Sequence, residues 1–234
     1  MDAVLKFVAA ALVLLVMGGP AWAFPTTGVL DNFNRADEDP LANGTWSGAI
    51  TSGGEQCRIV SNAVQGRATA GHVGTSYWGG TFGPDSEVFI DITTRAATAG
   101  DKAGVFLRIV NPGTASVDGY IALIRFDVAG DLIRVLRLDN AVETQIGSDI
   151  NVSPNFVSGD GFGMSMVGST ITLYKRLSGT WSSLGTITDA TYSAAGNIGV
   201  DSEAPDFVGD NFGGGTVVVG GGGVPLRTLM GVGQ

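Results

Sequence analysis

The sequence predicts an all-β protein built as a sandwich or barrel, and three observations support this prediction. Short segments with alternating apolar and polar residues, rich in β-branched and aromatic side chains, recur along the chain. The 37 glycines, together with asparagine, aspartate and proline, punctuate these segments at turns. After the N-terminal apolar run, no stretch carries the apolar stripe of an amphipathic helix.

The alternation predicts where each strand lies. In chain order, the predicted strands are Val29–Phe33, Gln56–Val60, Ala63–Arg67, Thr75–Trp78, Glu87–Thr93, Ala103–Val110, Tyr120–Asp127, Leu132–Leu138, Glu143–Gly147, Phe162–Val167, Thr170–Lys175, Ser183–Thr188, Asn197–Val200 and Phe207–Phe212. Two connections have the length of hairpin turns, Val128–Asp131 and Gly168–Ser169. The strands on either side of each turn are therefore predicted to be antiparallel neighbours.

The tripeptide Asp-Asn-Phe occurs in both the first and the last predicted strand. It stands at Asp31–Phe33 and again at Asp210–Phe212. This repetition predicts that the two strands lie side by side.

Residues 1–23 are predicted to be a cleaved secretory signal peptide. An apolar run, Phe7–Met17, follows a single lysine, is broken by Gly18–Pro20 and leads to the small-x-small motif Ala21–Ala23. The alternative is a membrane-spanning helix, but the run is shorter than the roughly 20 apolar residues that cross a bilayer. We expect a protein without a membrane span after cleavage, located in the extracellular space or a periplasm.

Residues 24–214 are predicted to form one domain, because this length suits a single β-sandwich. The glycine-rich residues 215–234 are predicted to form a flexible C-terminal tail, either unpartnered or docking to a protein assembly partner. The net charge of −9 argues against nucleic acid as a partner. The single cysteine, Cys57, excludes an internal disulfide, and its place in an alternating segment predicts a buried thiol.

Several phrases of the sequence, in their order, resemble the concanavalin A-like lectin and glucanase superfamily, in particular its laminin-G-like members. They are LDNFNRADEDPLANGTW, AGVFLRI, GYIALIRFD, VGSTITLYKR, DATYSAAGNIGV and VGDNFGG, and together they span most of residues 30–214. The resemblance implies a jelly-roll sandwich of two antiparallel sheets, of which the concave one is often the ligand face. Because the superfamily contains both binders and enzymes, the fold does not decide the activity.

The sequence lacks the catalytic motifs of this superfamily. Its glucanases resemble one another in a Glu-x-Asp-x-Glu strand, because retaining hydrolysis needs two carboxyl groups about 5 Å apart. The nearest match, Glu87 and Asp91, is separated by roughly 13 Å along a strand and has no third carboxylate. The single histidine, His72, lies near Ser76, but no nucleophile elbow or oxyanion loop accompanies them. We therefore predict no catalytic residue.

Two groups of acidic residues are candidates for a structural calcium ion, which prefers oxygen ligands. One group would assemble if the first and last strands pair, and the other lies in the loop ADEDPLANG. The first comprises Asp31, Asp210 and either Asp201 or Asp206, and the second comprises Asp37, Glu38, Asp39 and Asn43. The alternative is that these side chains only cap turns and strand ends.

The candidate ligand-binding residues are Arg108, Arg125, Tyr120 and Trp78. The first two, with Arg134, belong to three consecutive strands that are predicted neighbours. A guanidinium on a sheet can grip a carboxylate or stack on a sugar, and an aromatic ring can pack against the apolar face of a sugar. The alternative is that the arginines are solvated and pair with nearby aspartates.

We therefore predict a secreted, non-catalytic module that binds an extracellular or cell-surface glycan or polysaccharide on its concave sheet. Arg108 and Arg125 would orient the ligand, and Trp78 and Tyr120 would pack against it. Two alternatives remain open. One is a structural protein of an envelope, matrix or virion surface that docks through its C-terminal tail, and the other is a polysaccharide-active hydrolase or lyase.

Overall fold

The structure is a computed structural model that describes residues 23–67, 74–204 and 206–217. Most of the predicted signal peptide, the single histidine His72, and the tail from Val218 onward lie outside the described residues. The described residues form strands and loops without a helix. Accordingly, they include no helix with the length and hydropathy to cross a membrane.

The described chain contains sixteen strands. They are β1 (Val29–Asp31), β2 (Trp46–Ser47), β3 (Arg58–Val60), β4 (Ala63–Gln65), β5 (Gly74–Trp78), β6 (Ser86–Thr94), β7 (Lys102–Val110), β8 (Asp118–Arg125), β9 (Asp131–Asp139), β10 (Val142–Gln145), β11 (Ile150–Val152), β12 (Gly161–Val167), β13 (Thr170–Leu177), β14 (Thr180–Thr188), β15 (Asn197–Ser202) and β16 (Val208–Thr216). The last strand runs two residues past the domain boundary predicted at Gly214, because Gly215 and Thr216 still pair with β6.

The strands form two antiparallel sheets of eight, which confirms the predicted sandwich. Sheet 1 has the order β14-β13-β12-β6-β16-β4-β3, with β1 paired to β16. Sheet 2 has the order β10-β9-β8-β7-β15-β5-β2, with β11 paired to β9. The predicted pairing of the first and last strands is confirmed, with Asp31 opposite Phe212. Both predicted hairpins, β8–β9 and β12–β13, are also present.

The core lies between the sheets and is built from alternate side chains of each strand. Val88 and Ile90 of β6 face Val105 and Leu107 of β7 in one cluster, and each is at most 1% exposed. Burying an aliphatic side chain of this size contributes about 1.5–3 kcal/mol, so the alternating pattern determines which face of each strand turns inward. Cys57 belongs to the same cluster and confirms the predicted buried thiol, whose pKa is raised by burial.

A β-bulge at Arg108 changes which residues of β7 face the core. Arg108 has a φ of 51°, and the register with β8 shifts between Leu107 and Val110. Leu107 therefore packs between the sheets, whereas Ile109 packs on the outer face of sheet 2. Strict alternation would have placed Leu107 and Ile109 on the same face. The extra residue also leaves the Arg108 side chain inside the protein.

A second apolar cluster covers part of the outer face of sheet 2. Ile50 and Val117, which lie in loops, pack there on Phe106, Ile121 and Leu138, and all five are buried. These loops close one part of the face.

Candidate functional site

Residues 23–28 of the same chain cover part of the outer face of sheet 1. The ring of Phe24 stacks on Tyr174, with centroids 3.8 Å apart and an interplanar angle of 1°. Phe89 and Trp181 contact this ring edge-on. Depressions of about 290 and 620 Å³ flank Phe24, which lines both of them. Phe24 thus occupies part of the aromatic surface of this sheet, and the two depressions lie beside it.

Glu87 and Asp91, the carboxylates considered as a hydrolytic pair, both have structural partners on this face. The Oε1 atom of Glu87 accepts hydrogen bonds from the backbone N–H groups of Thr26 and Thr27, each at 2.6 Å, and from both hydroxyls. Glu87 is buried. Asp91 pairs with Arg176 at 2.9 Å. Both carboxylates therefore have protein partners in this fold.

Ser76 and His72 give no support to a catalytic triad. Ser76 is fully buried, and its Oγ accepts a hydrogen bond from the backbone N–H of Cys57 at 3.1 Å. His72 lies outside the described residues. Ser76 therefore fills a structural position in the core.

The outer face of sheet 2 carries a groove, which we define as two adjoining pockets that share Glu143 and call the sheet 2 groove. The first pocket, of about 100 Å³, is lined by Lys102, Leu123, Arg125, Leu132, Arg134, Leu136, Glu143 and Asp149. The second, of about 90 Å³, is lined by Ile50, Thr51, Gly54, Glu55, Thr75, Ile121, Leu138, Glu143, Asp201 and Glu203. Leucines and isoleucines form an apolar floor, and charged side chains stand at the rim.

Two of the three cations in the first pocket are paired with carboxylates. Arg134 donates from Nε and Nη2 to Asp149, at 2.9 and 2.7 Å, and these hydrogen bonds lower the pKa of Asp149. Lys102 pairs with Glu203 at 2.5 Å. These pairs hold the rim of the pocket in place. The third cation, Arg125, has no carboxylate partner at so short a distance.

Arg125 has the longest ion-pair contact of these cations. Its Nη2 lies 3.8 Å from the carboxylate of Asp127, and its side chain is 47% exposed. The strand register places Lys102 directly opposite Arg125. Because Lys102 is already paired with Glu203, Arg125 is the cation of this pocket that is most available to a polar or anionic ligand group. Arg125 thus stands where the sequence predicted a ligand contact, on an open sheet face.

Arg108 lies elsewhere, and its predicted role as a ligand contact does not agree with its position. Its side chain is 1% exposed and donates to the backbone carbonyls of Pro84, Tyr192 and Gly168, at 2.5, 2.9 and 2.9 Å. Burial lowers the pKa of Arg108, and the carboxylate of Asp85, 3.6 Å away, opposes this shift. Every nitrogen of the guanidinium is therefore used to hold loops together at one end of the sandwich.

Tyr120 and Trp78 also point into the protein, so neither offers the ligand platform that was expected. Tyr120 is fully buried in the core, its hydroxyl donates to Asp189 at 2.7 Å, and burial raises its pKa to about 12. Trp78 is partly buried against the core and contacts the rings of Trp46 and Phe212. Both side chains stabilise the space between the sheets.

The sequence did contain a signal that separates these residues from Arg125. In an uninterrupted strand, residues an odd number of positions apart point to opposite faces. Tyr120 and Arg125 are five positions apart in β8, so only one of them can face the groove. By the same rule Tyr77, rather than Trp78, packs with the outer cluster of sheet 2.

The acidic residues considered for calcium do not form a suitable site. Among the described residues, no group of three or more acidic, histidine or cysteine side chains is arranged to hold a metal ion. Asp31 accepts a hydrogen bond from the indole of Trp46 at 2.7 Å and also binds an arginine. Burial, and then the nearby Asp91 and Asp31, raise the pKa of Asp210. In the loop, Glu38 pairs with an arginine at 2.8 Å. Some of these oxygens thus serve protein donors, whereas the oxygens without a partner, on Glu38, Asp201 and Asp206, are not gathered into one group among the described residues.

No protein-family model matches the chain. No curated protein sequence matches it either.

Solved structures do match. The chain is similar to carbohydrate-binding module CBM66 from Bacillus subtilis, with 15% identity, a TM-score of 0.51, and coverage of 72% of this chain and 91% of that one. It is similar to a legume lectin-like domain from Entamoeba histolytica, with 12% identity, a TM-score of 0.55, and coverage of 74% and 91%. It is also similar to the exoplasmic/lumenal domain of VIP36 in a Ca²⁺/Man3GlcNAc-bound form, with 11% identity, a TM-score of 0.55, and coverage of 75% and 85%. The chain therefore has the concanavalin A-like jelly-roll fold.

Proposed function

We propose that the protein is a secreted, non-catalytic module that binds a glycan in the sheet 2 groove. The observation that carries the proposal is the position of Arg125. It is a half-exposed guanidinium with one long ion-pair contact, on the sheet face that the N-terminal segment does not cover. The fold supports it as well, because the similar structures include a carbohydrate-binding module and lectin-like domains. Export rests on the sequence of residues 1–23.

The groove offers both kinds of contact that a sugar needs. Leu123, Leu132 and Leu136 provide an apolar floor for the C–H face of a ring. Arg125 at the rim can donate up to five hydrogen bonds to hydroxyl or carboxylate oxygens. The groove is shallow, so we expect weak binding at each site and a gain from repeated epitopes on a polysaccharide.

The proposal is tested by a glycan-array screen of the purified protein, followed by titration of the best glycan. We expect binding to one glycan class, and we expect Arg125→Ala to weaken it about tenfold, the loss of roughly one charge-assisted hydrogen bond. Arg176→Ala is the matched control, because Arg176 is also a partly exposed, salt-bridged arginine but lies on the outer face of sheet 1.

Two outcomes would refute the proposal. A blank array from a folded protein would remove glycan binding altogether, and equal losses in the Arg125 and Arg176 variants would place the site elsewhere. Repeating the array with EDTA tests whether binding requires a metal ion such as the calcium expected from the sequence.

A further inference from the structure

The second pocket of the sheet 2 groove contains a buried carboxylate, Asp201. Asp201 lies in β15 between Thr75 of β5 and Gly104 of β7. The preceding residue, Val200, packs in the core, so the Asp201 side chain points to the outer face. A loop covers this position, since the Ile50 N–H donates to the Thr75 hydroxyl at 3.1 Å. Asp201 is consequently only 3% exposed.

One oxygen of this carboxylate lacks a partner. The Oδ1 atom of Asp201 has no hydrogen bond within the described residues. Lys102, the cation whose charge acts on Asp201, pairs with Glu203 instead. A buried carboxylate without a donor costs free energy, and proteins normally satisfy such groups. The missing donor is the observation that points to a ligand.

The charges around Asp201 favour a positively charged group. Glu143 of β10 and Glu203 beyond β15 face it, and Lys102 of β7 opposes them. Burial, followed by these two glutamates, raises the pKa of Asp201 well above the usual range. Glu55 also lines the pocket. Glu203 and Glu55 have cationic partners at 2.5 and 2.9 Å, whereas Glu143 forms no ion pair with a described residue.

The chemistry of the pocket lining limits what this group can be. The pocket, of about 90 Å³, is lined by the carboxylates of Asp201, Glu143, Glu203 and Glu55. These carboxylates are not arranged as metal ligands among the described residues. A primary ammonium group brings three N–H donors to a position where an acceptor is unsatisfied.

We propose that the second pocket binds a primary ammonium group of the ligand, with Asp201 as the buried acceptor and Glu143 at the rim. Resting on the proposed function, this assigns the ligand to glycans that carry a free amino group on one sugar, such as a partly deacetylated polymer of a 2-amino sugar, with the hydroxyl or acetamide oxygens of another sugar facing Arg125. The spacing of strands and residues puts the backbones of Arg125 and Asp201 roughly 12 Å apart, which two linked sugar rings can bridge.

Calorimetric titration with two tetrasaccharides tests this assignment. One is an N-acetylglucosamine tetramer in which one sugar is deacetylated and carries the free amine, and the other is its fully N-acetylated counterpart. Wild-type protein is expected to bind the amine form at least tenfold more tightly. Asp201→Asn should remove this preference and Glu143→Gln should reduce it, while Asp37→Asn, an exposed acid elsewhere, should leave it unchanged. Glu143 is exposed, so its variant does not depend on repacking of the core.

Two further measurements separate this inference from the proposed function. Titrations of the amine ligand in buffers of different ionisation enthalpy should show more proton release on binding in wild type than in Asp201→Asn, because a bound ammonium lowers the raised pKa of Asp201 and the variant has no proton to release at this position. Methylammonium alone should shift the carboxyl ¹³C resonance of Asp201. Glycan binding with equal affinity for both tetramers, or a preference that survives Asp201→Asn, overturns the ammonium pocket and leaves the proposed function standing. A blank glycan array together with a shift of the Asp201 resonance by methylammonium would overturn the proposed function and leave the ammonium pocket standing.

Discussion

Replacing Arg108 by methionine provides the most direct test of the structural role that the fold gives this residue. The side chain donates three hydrogen bonds to backbone carbonyls at 2.5–2.9 Å from a position that is 1% exposed. Methionine has a similar length, but it leaves those three buried carbonyls without a donor. The positive φ at this position is equally unfavourable for both residues, so backbone strain cancels in the comparison.

The expected loss in the free energy of unfolding is about 3–5 kcal/mol. Hydrogen bonds to a charged group contribute about 1.5–3 kcal/mol each, and part of this sum is offset because the variant no longer buries a charge. Urea denaturation at neutral pH, monitored by intrinsic fluorescence, measures this loss in the free energy of unfolding. Arg125→Met is the control and should cost less than about 1 kcal/mol, because its ion pair is exposed. A loss below about 1 kcal/mol for Arg108→Met would refute the assignment.

Two further substitutions test the faces of the sandwich. Phe24→Ala should lower the free energy of unfolding by about 2 kcal/mol, since the ring is half-buried and stacked on Tyr174. The control Val29→Ala, at an exposed position, should have little effect. Equal effects of the two substitutions would mean that residues 23–28 are not docked on sheet 1. Asp201→Asn should stabilise the protein by about 1–3 kcal/mol at pH 7 and by little at pH 4, as measured by urea denaturation at both pH values.

The sign of the last prediction follows from the raised pKa of Asp201. In the unfolded chain an aspartate releases its proton near pH 3.9, whereas the folded protein retains it to higher pH. Between these two pKa values the folded state binds more protons, so wild-type stability falls as the pH rises. The asparagine variant lacks this decrease. A stability difference that is the same at pH 4 and pH 7 would contradict the burial of an ionisable, unpartnered group.

The fold was predictable because each strand carries its own alternating pattern and the turns are short. The pairing of β1 with β16 was visible in the repeated Asp-Asn-Phe, and the β8–β9 hairpin in the length of its connection. Arg108 was misplaced because a bulge adds one residue and inverts the alternation after it. Nothing in the sequence AGVFLRIV marks that bulge, since arginine is not a residue type that favours positive φ.

The candidate site was predictable only in part. Arg125 could be assigned to a sheet face, and counting positions along β8 would have excluded Tyr120 from that face. The second pocket was not predictable, because the burial of Asp201 depends on the loop that carries Ile50, which is distant in sequence. The alternation of residues along one strand contains no information about which loop, distant in sequence, will pack over that strand.

Two charged residues on the outer face of sheet 2, Arg125 and Asp201, are incompletely partnered, and their position bears on function. On sheet 1, Glu87 accepts hydrogen bonds from two threonines and Phe24 occupies part of the aromatic surface. On sheet 2, Arg125 has one long ion-pair contact, and Asp201 is buried with an unpartnered oxygen. A buried oxygen without a donor costs free energy, and an apolar or fully paired residue would avoid that cost. Such local conflicts are expected where a ligand supplies the missing partners, which is why we assign binding to the sheet 2 groove.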